Sequence, residues 1–140
     1  MDPVLILGVV IGLYAVMGLL GLIMTRAMAR GQLADLSDEM SPAAGFVASY
    51  GDGLRGAVWA AAIVAYGLAA VLTMAKSADA LWVFVGALSM DFGLFLTWRQ
   101  RASYVAHLRP NERLGEMAAV AMLSACLIAL VWLKARGALI

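Results

Sequence analysis

The 140-residue chain has one cysteine, one histidine and three prolines, and only 14% of its positions are charged, against about 25% in an ordinary soluble domain. Each scarcity excludes something. Cys126 alone cannot close an intrachain disulfide or build a cysteine-rich metal site, and its apolar surroundings predict a small packing residue rather than a reactive thiol. His107 alone cannot supply the two axial ligands of a membrane b-type haem. No metal-ligand spacing and no nucleotide-binding motif is present, so neither a metal nor a cofactor is expected. A formal net charge of +1 gives no whole-chain attraction to nucleic acid. The chain opens Met1-Asp2-Pro3, without the basic start or the small-residue cleavage site of a secretory signal, so its first apolar run is expected to be a retained helix.

Hydrophobic residues are abundant: 64% of the chain, against roughly 45–50% in soluble domains. They gather in four runs, 3–25, 56–75, 80–98 and 115–133, and 17 of the 19 charges lie outside these runs. About 20 helical residues cross a hydrocarbon core of roughly 30 Å, and backbone groups in lipid must be satisfied within the segment. The expected fold is therefore all-α: one domain, four transmembrane helices, up-down-up-down. Pro3 suits the first turn of the first helix. The longest connection, 26–55, carries Asp35, Asp38 and Glu39 among its charges. Within it, Ser41-Pro42 resembles a cap followed by a first-turn proline, which allows either an irregular loop or a short interfacial helix over 42–50. Such a helix would dip Phe46, Val47 and Tyr50 into lipid. Lys76 is expected to complement the C-terminus of the second helix, and the four residues 76–79 force a hairpin. The third helix has no Gly or Pro between Arg99 and Leu108, so it is expected to run on to Arg109-Pro110, with Asn111 capping the fourth.

Basic residues orient the bundle. Arg26, Arg30, Arg55, Arg99, Arg101, Arg109 and Arg113 fall on the side of the two long connections; Lys76, Lys134 and Arg136 fall on the other. Seven against three predicts cytoplasmic connections and external termini in a bacterial-type inner membrane. Small residues at four-residue spacing offer close packing: Gly8 and Gly12, then Ala57, Ala61, Ala65 and Ala69, and finally Ala121, Ala125 and Ala129, while Gly18 and Gly21 open a second notch on the first helix. Trp82, Trp98 and Trp132 sit where interfacial anchors belong. Among nine methionines only Met24 and Met28 form a close helical pair, which favours core filling over a copper site.

Asp91 asks for an explanation. A carboxyl near mid-membrane costs at least about 2.5–3.5 kcal/mol unless something compensates, and such residues are functional candidates by default. The midpoints of the four runs hold or adjoin Tyr14, Tyr66, Ser89 and Ser124. Asp91 lies two residues, about 3 Å, from its own midpoint. A buried polar cluster of Asp91, Tyr14, Tyr66 and Ser124 is expected, with Ser89 as an alternate member. A second constellation, Arg99, Arg101, Arg109 and Arg113, could meet lipid phosphates, although positive-inside topology alone accounts for it. His107 is expected to be a solvated surface residue. Without a paired acid and base, the chain is expected to be a non-enzymatic accessory or scaffold subunit of a larger inner-membrane complex, partnered by lipid and by other membrane subunits or copies of itself. The alternative is a small oligomeric transporter or channel using Asp91 for proton or cation coupling.

Overall fold

The computed structural model describes residues 1–31 and 41–140, so Asp35, Asp38 and Glu39 lie outside the described residues. The described residues are helical throughout: α1 (Pro3–Ala29), α2 (Ala44–Tyr50), α3 (Gly53–Met74), α4 (Asp79–Leu96), α5 (Arg101–Ala106) and α6 (Pro110–Ala135). Of these, α1, α3, α4 and α6 are long and apolar enough to cross a membrane. Their outward faces are oily: Leu13 is 59% exposed, and Val64 and Ile128 are each 70% exposed. Water would penalise such a surface and hydrocarbon does not. The protein is a multi-pass membrane protein.

The ends of α1 follow from local chemistry. The carboxylate of Asp2 accepts the Val4 N–H at 3.0 Å, and Pro3 fills the first turn, where its missing N–H costs nothing. The helix runs past Thr25 to Ala29, and Gly31 then takes the left-handed conformation (φ 71°) that stops it. Along α1, a Cβ added to Gly8 would meet Met74 and Ala70, to Gly12 Ala70, to Gly18 Ile63, and to Gly21 Trp59. Numbers rise on one helix as they fall on the other, so α1 and α3 run antiparallel with glycines at their seam.

A four-residue turn reverses α3 into α4. Lys76 occupies it with φ 59°, and the bonds Lys76 N–H to Thr73 O and Ser77 N–H to Leu72 O, both 2.9 Å, close a Schellman-type ending. Beyond complementing the helix end, the Lys76 ammonium pairs with Asp2 at 3.0 Å, tying the start of α1 to this turn. The far end of α6 reaches the same place: Lys134 Nζ lies 4.9 Å from the Trp82 ring centroid, and Ile140 N–H donates to Lys76 O at 2.7 Å. At its other end α6 meets Ser41, ahead of α2, and Tyr104 and Val105 on α5, which fixes its direction against α4. The core, with Ile11, Tyr66, Phe84 and Leu130 almost fully covered, lies toward the end of the bundle marked by the α3–α4 turn.

Several expectations change. The third helix does not continue to Leu108; it stops at Leu96 because its last carbonyls find other donors. Thr97 Oγ1 donates to Gly93 O at 2.7 Å, Arg101 Nη1 to Leu96 O at 3.1 Å, and Arg55 Nη2 reaches Leu94 O from the first turn of α3. Arg109, not Asn111, occupies the cap of α6, and its N–H donates to Glu112 Oε2 at 2.9 Å. The short helix after Ser41-Pro42 exists as α2, but its apolar residues turn toward protein. Phe46 packs on the His107 ring (5.2 Å), and Tyr50 lies between Trp59 and Trp98 (5.1 Å to each). Trp98 is not an exposed anchor: it is 6% exposed and its indole donates to Ser49 Oγ at 3.0 Å. In the alanine stripe of α3 only Ala69 is buried, while Ala57 and Ala61 face outward; on α6, Ala121 and Ala125 are likewise exposed. Because α3 is sandwiched between α1 and α4, its buried positions are Gly56, Ala62, Ile63, Tyr66, Ala69, Ala70 and Thr73, and the first part of the expected stripe rotates out.

The tightest backbone approach predicts a stability defect. A Cβ at Gly56 would collide with the carbonyl oxygen of Gly51, which has no side chain to move aside. Gly56→Ala should open the α2–α3 corner at a cost of about 1–3 kcal/mol. Gly67→Ala, with nothing within 4 Å, should be neutral or mildly stabilising. Thermal unfolding in mild detergent checks the pair: Gly56→Ala lowers Tm and Gly67→Ala does not.

Candidate functional site

At mid-depth, three elements deliver the polar groups. Tyr14 Oη donates to Asp91 Oδ2 at 3.1 Å, and Tyr66 Oη donates to the same oxygen at 3.3 Å. The two rings meet edge to face, centroids 5.0 Å apart and planes at 83°. Tyr66 is 2% exposed and leans on Phe84 at 5.5 Å, so its hydroxyl is held in place by packing. The carboxylate's other oxygen, Oδ1, accepts no hydrogen bond among the described residues.

Ser89 and Ser124 are not brought into this cluster. Ser89 Oγ donates to Val85 O and Ser124 Oγ to Val120 O, each at 2.8 Å, and both residues are exposed on the bundle's outer surface. Helix geometry explains the outcome. Two residues separate Ser89 from Asp91, which turns them about 200° apart around α4. A serine in lipid can satisfy its hydroxyl on the carbonyl four residues back, so it needs no partner across the bundle.

Asp91 lines a cavity of about 870 Å³ that extends from mid-depth to the end of the bundle where α2 and α5 lie. The cavity exists because α6 rests on its neighbours only through its second half: its buried residues are Leu123, Cys126, Leu130 and Leu133. The first half stands off, and two polar contacts hold it there. Ser41 Oγ donates to Glu112 Oε2 at 2.8 Å, and Tyr104 Oη donates to Glu116 Oε1 at 2.8 Å. Glu116 also lines the cavity. The remaining wall is apolar and aromatic, with Trp59, Phe92, Phe95 and Trp98 among its residues. Four methionines, Met17, Met24, Met28 and Met117, also face it; the sequence shows only Met24 and Met28 as neighbours, because the other two arrive from another turn and another helix.

The arginines do other work. Arg101 caps α4, and Arg113 Nη2 donates to Val105 O at 3.2 Å, so two of the four guanidinium groups considered for phosphate are engaged with backbone carbonyls. Arg99 and Arg109 are exposed. Arg55, which the spacing did not single out, also donates to Thr97 Oγ1 at 3.2 Å and lies 5.5 Å from the Tyr50 ring centroid. His107 is exposed, with Nδ1 at 2.6 Å from Ser103 O. Among the described residues no group of three or more His, Cys, Asp or Glu could hold a metal ion.

Outside the spans, burial pushes the Tyr104 hydroxyl above its ordinary pKa of 10.0, and the Glu116 charge and hydrogen bond push it the same way. Burial also raises Tyr50, and the Asp91 charge adds to the shift.

Two predictions follow from this geometry. Tyr14 and Tyr66 share one acceptor oxygen, so either donor alone still satisfies it. Tyr14→Phe and Tyr66→Phe should each cost about 1 kcal/mol, and the double variant should cost more than the two together, because it orphans the acceptor. Chemical unfolding of the four proteins in detergent measures that coupling. Second, the raised Tyr104 favours the neutral hydroxyl in the folded state. Its contribution is complete below pH 10.0 and is lost as pH climbs through the unfolded and then the folded pKa. Ultraviolet titration of tyrosinate should show one tyrosine ionising earlier in Glu116→Gln than in the parent.

Comparison of the chain with family models, with curated proteins and with solved structures finds no match, so the function is read from the chemistry of the site.

Proposed function

We propose that this protein is a small membrane transporter in which Asp91 is the exchangeable proton- or cation-binding group. The single observation that carries this reading is the cavity of about 870 Å³ that Asp91 lines. A carboxyl that served only to lock helices would be sealed among its partners. Here one oxygen is held by Tyr14 and Tyr66, and the residue still lines an open space. Midplane carboxylates reached from one side are the usual means by which carriers couple ion movement to a conformational change. The seven basic residues on the side of the connections support placing that side in the cytoplasm, as in a bacterial-type inner membrane. Among the described residues no acid–base pair is aligned on a reacting position, which favours a carrier over a catalyst.

A second reading, an accessory subunit of a larger complex, has one observation in its favour. Ala57 and Ala61 on α3 and Ala125 on α6 are small, regularly spaced and outward-facing, as a helix of another chain would require. Purification from native membranes in mild detergent separates the two: a stoichiometric foreign subunit favours the accessory reading, and self-association alone favours the transporter.

The direct test uses purified protein in sealed liposomes with a trapped pH-sensitive dye. Protons are driven inward by a potassium diffusion potential. The parent protein should acidify the lumen, and Asp91→Asn should fall to the rate of empty liposomes. An amide oxygen can still accept both tyrosine hydroxyls, so the variant is expected to fold. Equal rates for parent and variant would remove Asp91 from the function.

A further inference from the structure

The cavity's wall has a charge sign. Two carboxylates face it, Asp91 at the inner end and Glu116 on α6, and no lysine, arginine or histidine does. Each carboxylate has one oxygen committed, Asp91 Oδ2 to two tyrosines and Glu116 Oε1 to Tyr104, and one that accepts no hydrogen bond among the described residues. Aromatic residues, including Trp59, Phe95 and Trp98, line the same cavity. Aromatic faces are electron-rich and attract a cation that has shed its water, most strongly when they are shielded from solvent.

An inorganic cation does not fit this wall. Hard ions take six or more oxygen ligands, and here the two open carboxylate oxygens come from different helices in a wall that is otherwise largely apolar and aromatic. An anion meets two carboxylates and no cation. A neutral apolar molecule would leave the open Asp91 oxygen without a partner, at the cost of an unmet half-buried acceptor. An organic cation with apolar substituents satisfies all three surfaces at once: the carboxylates, the ring faces and the aliphatic remainder. The volume, about 870 Å³, lies in the range of pockets for drug-sized ligands, roughly 300–1,000 Å³. The four methionines add a further property, since unbranched thioether chains repack around ligands of differing shape.

We infer that the cavity is a binding site for lipophilic organic cations, with Asp91 and Glu116 as the counter-charges and the Trp59, Phe95 and Trp98 rings as the apolar and π surface. This inference deepens the transporter reading by naming its substrate class, and it rests on the same cavity.

The test isolates charge from oiliness by using two ions of nearly equal shape. Tetraphenylphosphonium and tetraphenylborate each carry four phenyl groups around a central atom and differ in sign. Binding is followed by quenching of tryptophan fluorescence in detergent-solubilised full-length protein and checked by equilibrium dialysis. The cation should bind and quench, and the borate should bind at least about tenfold more weakly. Glu116→Gln and Asp91→Asn should each weaken the cation by about tenfold or more while leaving the borate unchanged. Glu116 is exposed on α6, so its variant keeps the test intact should Asp91→Asn fold poorly. Equal binding of both ions, or cation binding indifferent to both variants, would overturn the inference and mark the cavity as a space for acyl chains. Failure here is distinct from failure of transport. Asp91-dependent proton movement without cation binding removes the substrate class alone. Charge-selective binding without proton movement keeps the site and removes the carrier.

Discussion

A carboxyl group halfway through a hydrocarbon layer must find donors inside the protein, and much of this structure follows from how Asp91 finds them. Both tyrosine hydroxyls converge on one oxygen, which needs Tyr14 and Tyr66 at the same depth on neighbouring antiparallel helices. That depth match depends on the α1–α3 register, and the register depends on glycines. Gly8, Gly12, Gly18 and Gly21 let α1 lie close along α3 from Ala70 to Trp59. A Cβ at Gly8 would crowd Met74 and one at Gly18 would crowd Ile63, so side chains there would push the helices apart and lengthen the reach from Tyr14 to the carboxylate. The small residues of α1 therefore position a polar group as well as packing a seam.

The second organising feature is the difference between the two halves of α6. Its C-terminal half carries all the buried residues of the helix, and its end is pinned to the α3–α4 turn through Lys134 on Trp82 and Ile140 on Lys76. Its N-terminal half is held by carboxylates, Glu112 to Ser41 and Glu116 to Tyr104, with no buried apolar residue before Leu123. Apolar packing is cumulative and hard to undo locally, whereas two hydrogen bonds near the membrane surface exchange readily with water. The helix thus has a fixed end and an end that can move with low cost, and the cavity lies beside the second.

How much of this the sequence discloses depends on which coordinate is asked for. Depth along a helix axis is legible, because each residue adds a fixed rise of about 1.5 Å, and hydropathy marks where counting starts. That is why the four helices and the level of Tyr14, Tyr66 and Asp91 can be read from the chain. Rotation about the axis is not legible in the same way. Each residue turns a helix by about 100°, so a small error in which face is inward moves a side chain from core to lipid. Ser89 and Ser124 share the right depth and lie on the wrong face, and the alanine stripe of α3 fails for the same reason. Long-range stops are invisible too. Nothing near Leu96 announces the end of α4; the donor that takes the Leu94 carbonyl belongs to Arg55, 39 residues earlier. The cavity was equally out of reach, since its residues come from distant parts of the chain and meet only because α6 stands off.

These features bear on one another. A wall that carries two acids and no base repels itself when both are ionised, and an aromatic lining does nothing to relieve that repulsion. In a closed bundle the repulsion would be paid at full strength in a low-dielectric interior. Keeping the Glu116 half of α6 away from Asp91 reduces it, and a cation between the two carboxylates would reverse its sign. The half-helix held by two hydrogen bonds, the unopposed acids and the aromatic lining therefore belong together. Under the proposed reading, a cation in the cavity would offset the charge of the wall and would draw on the part of α6 that apolar packing does not fix, the residues before Leu123.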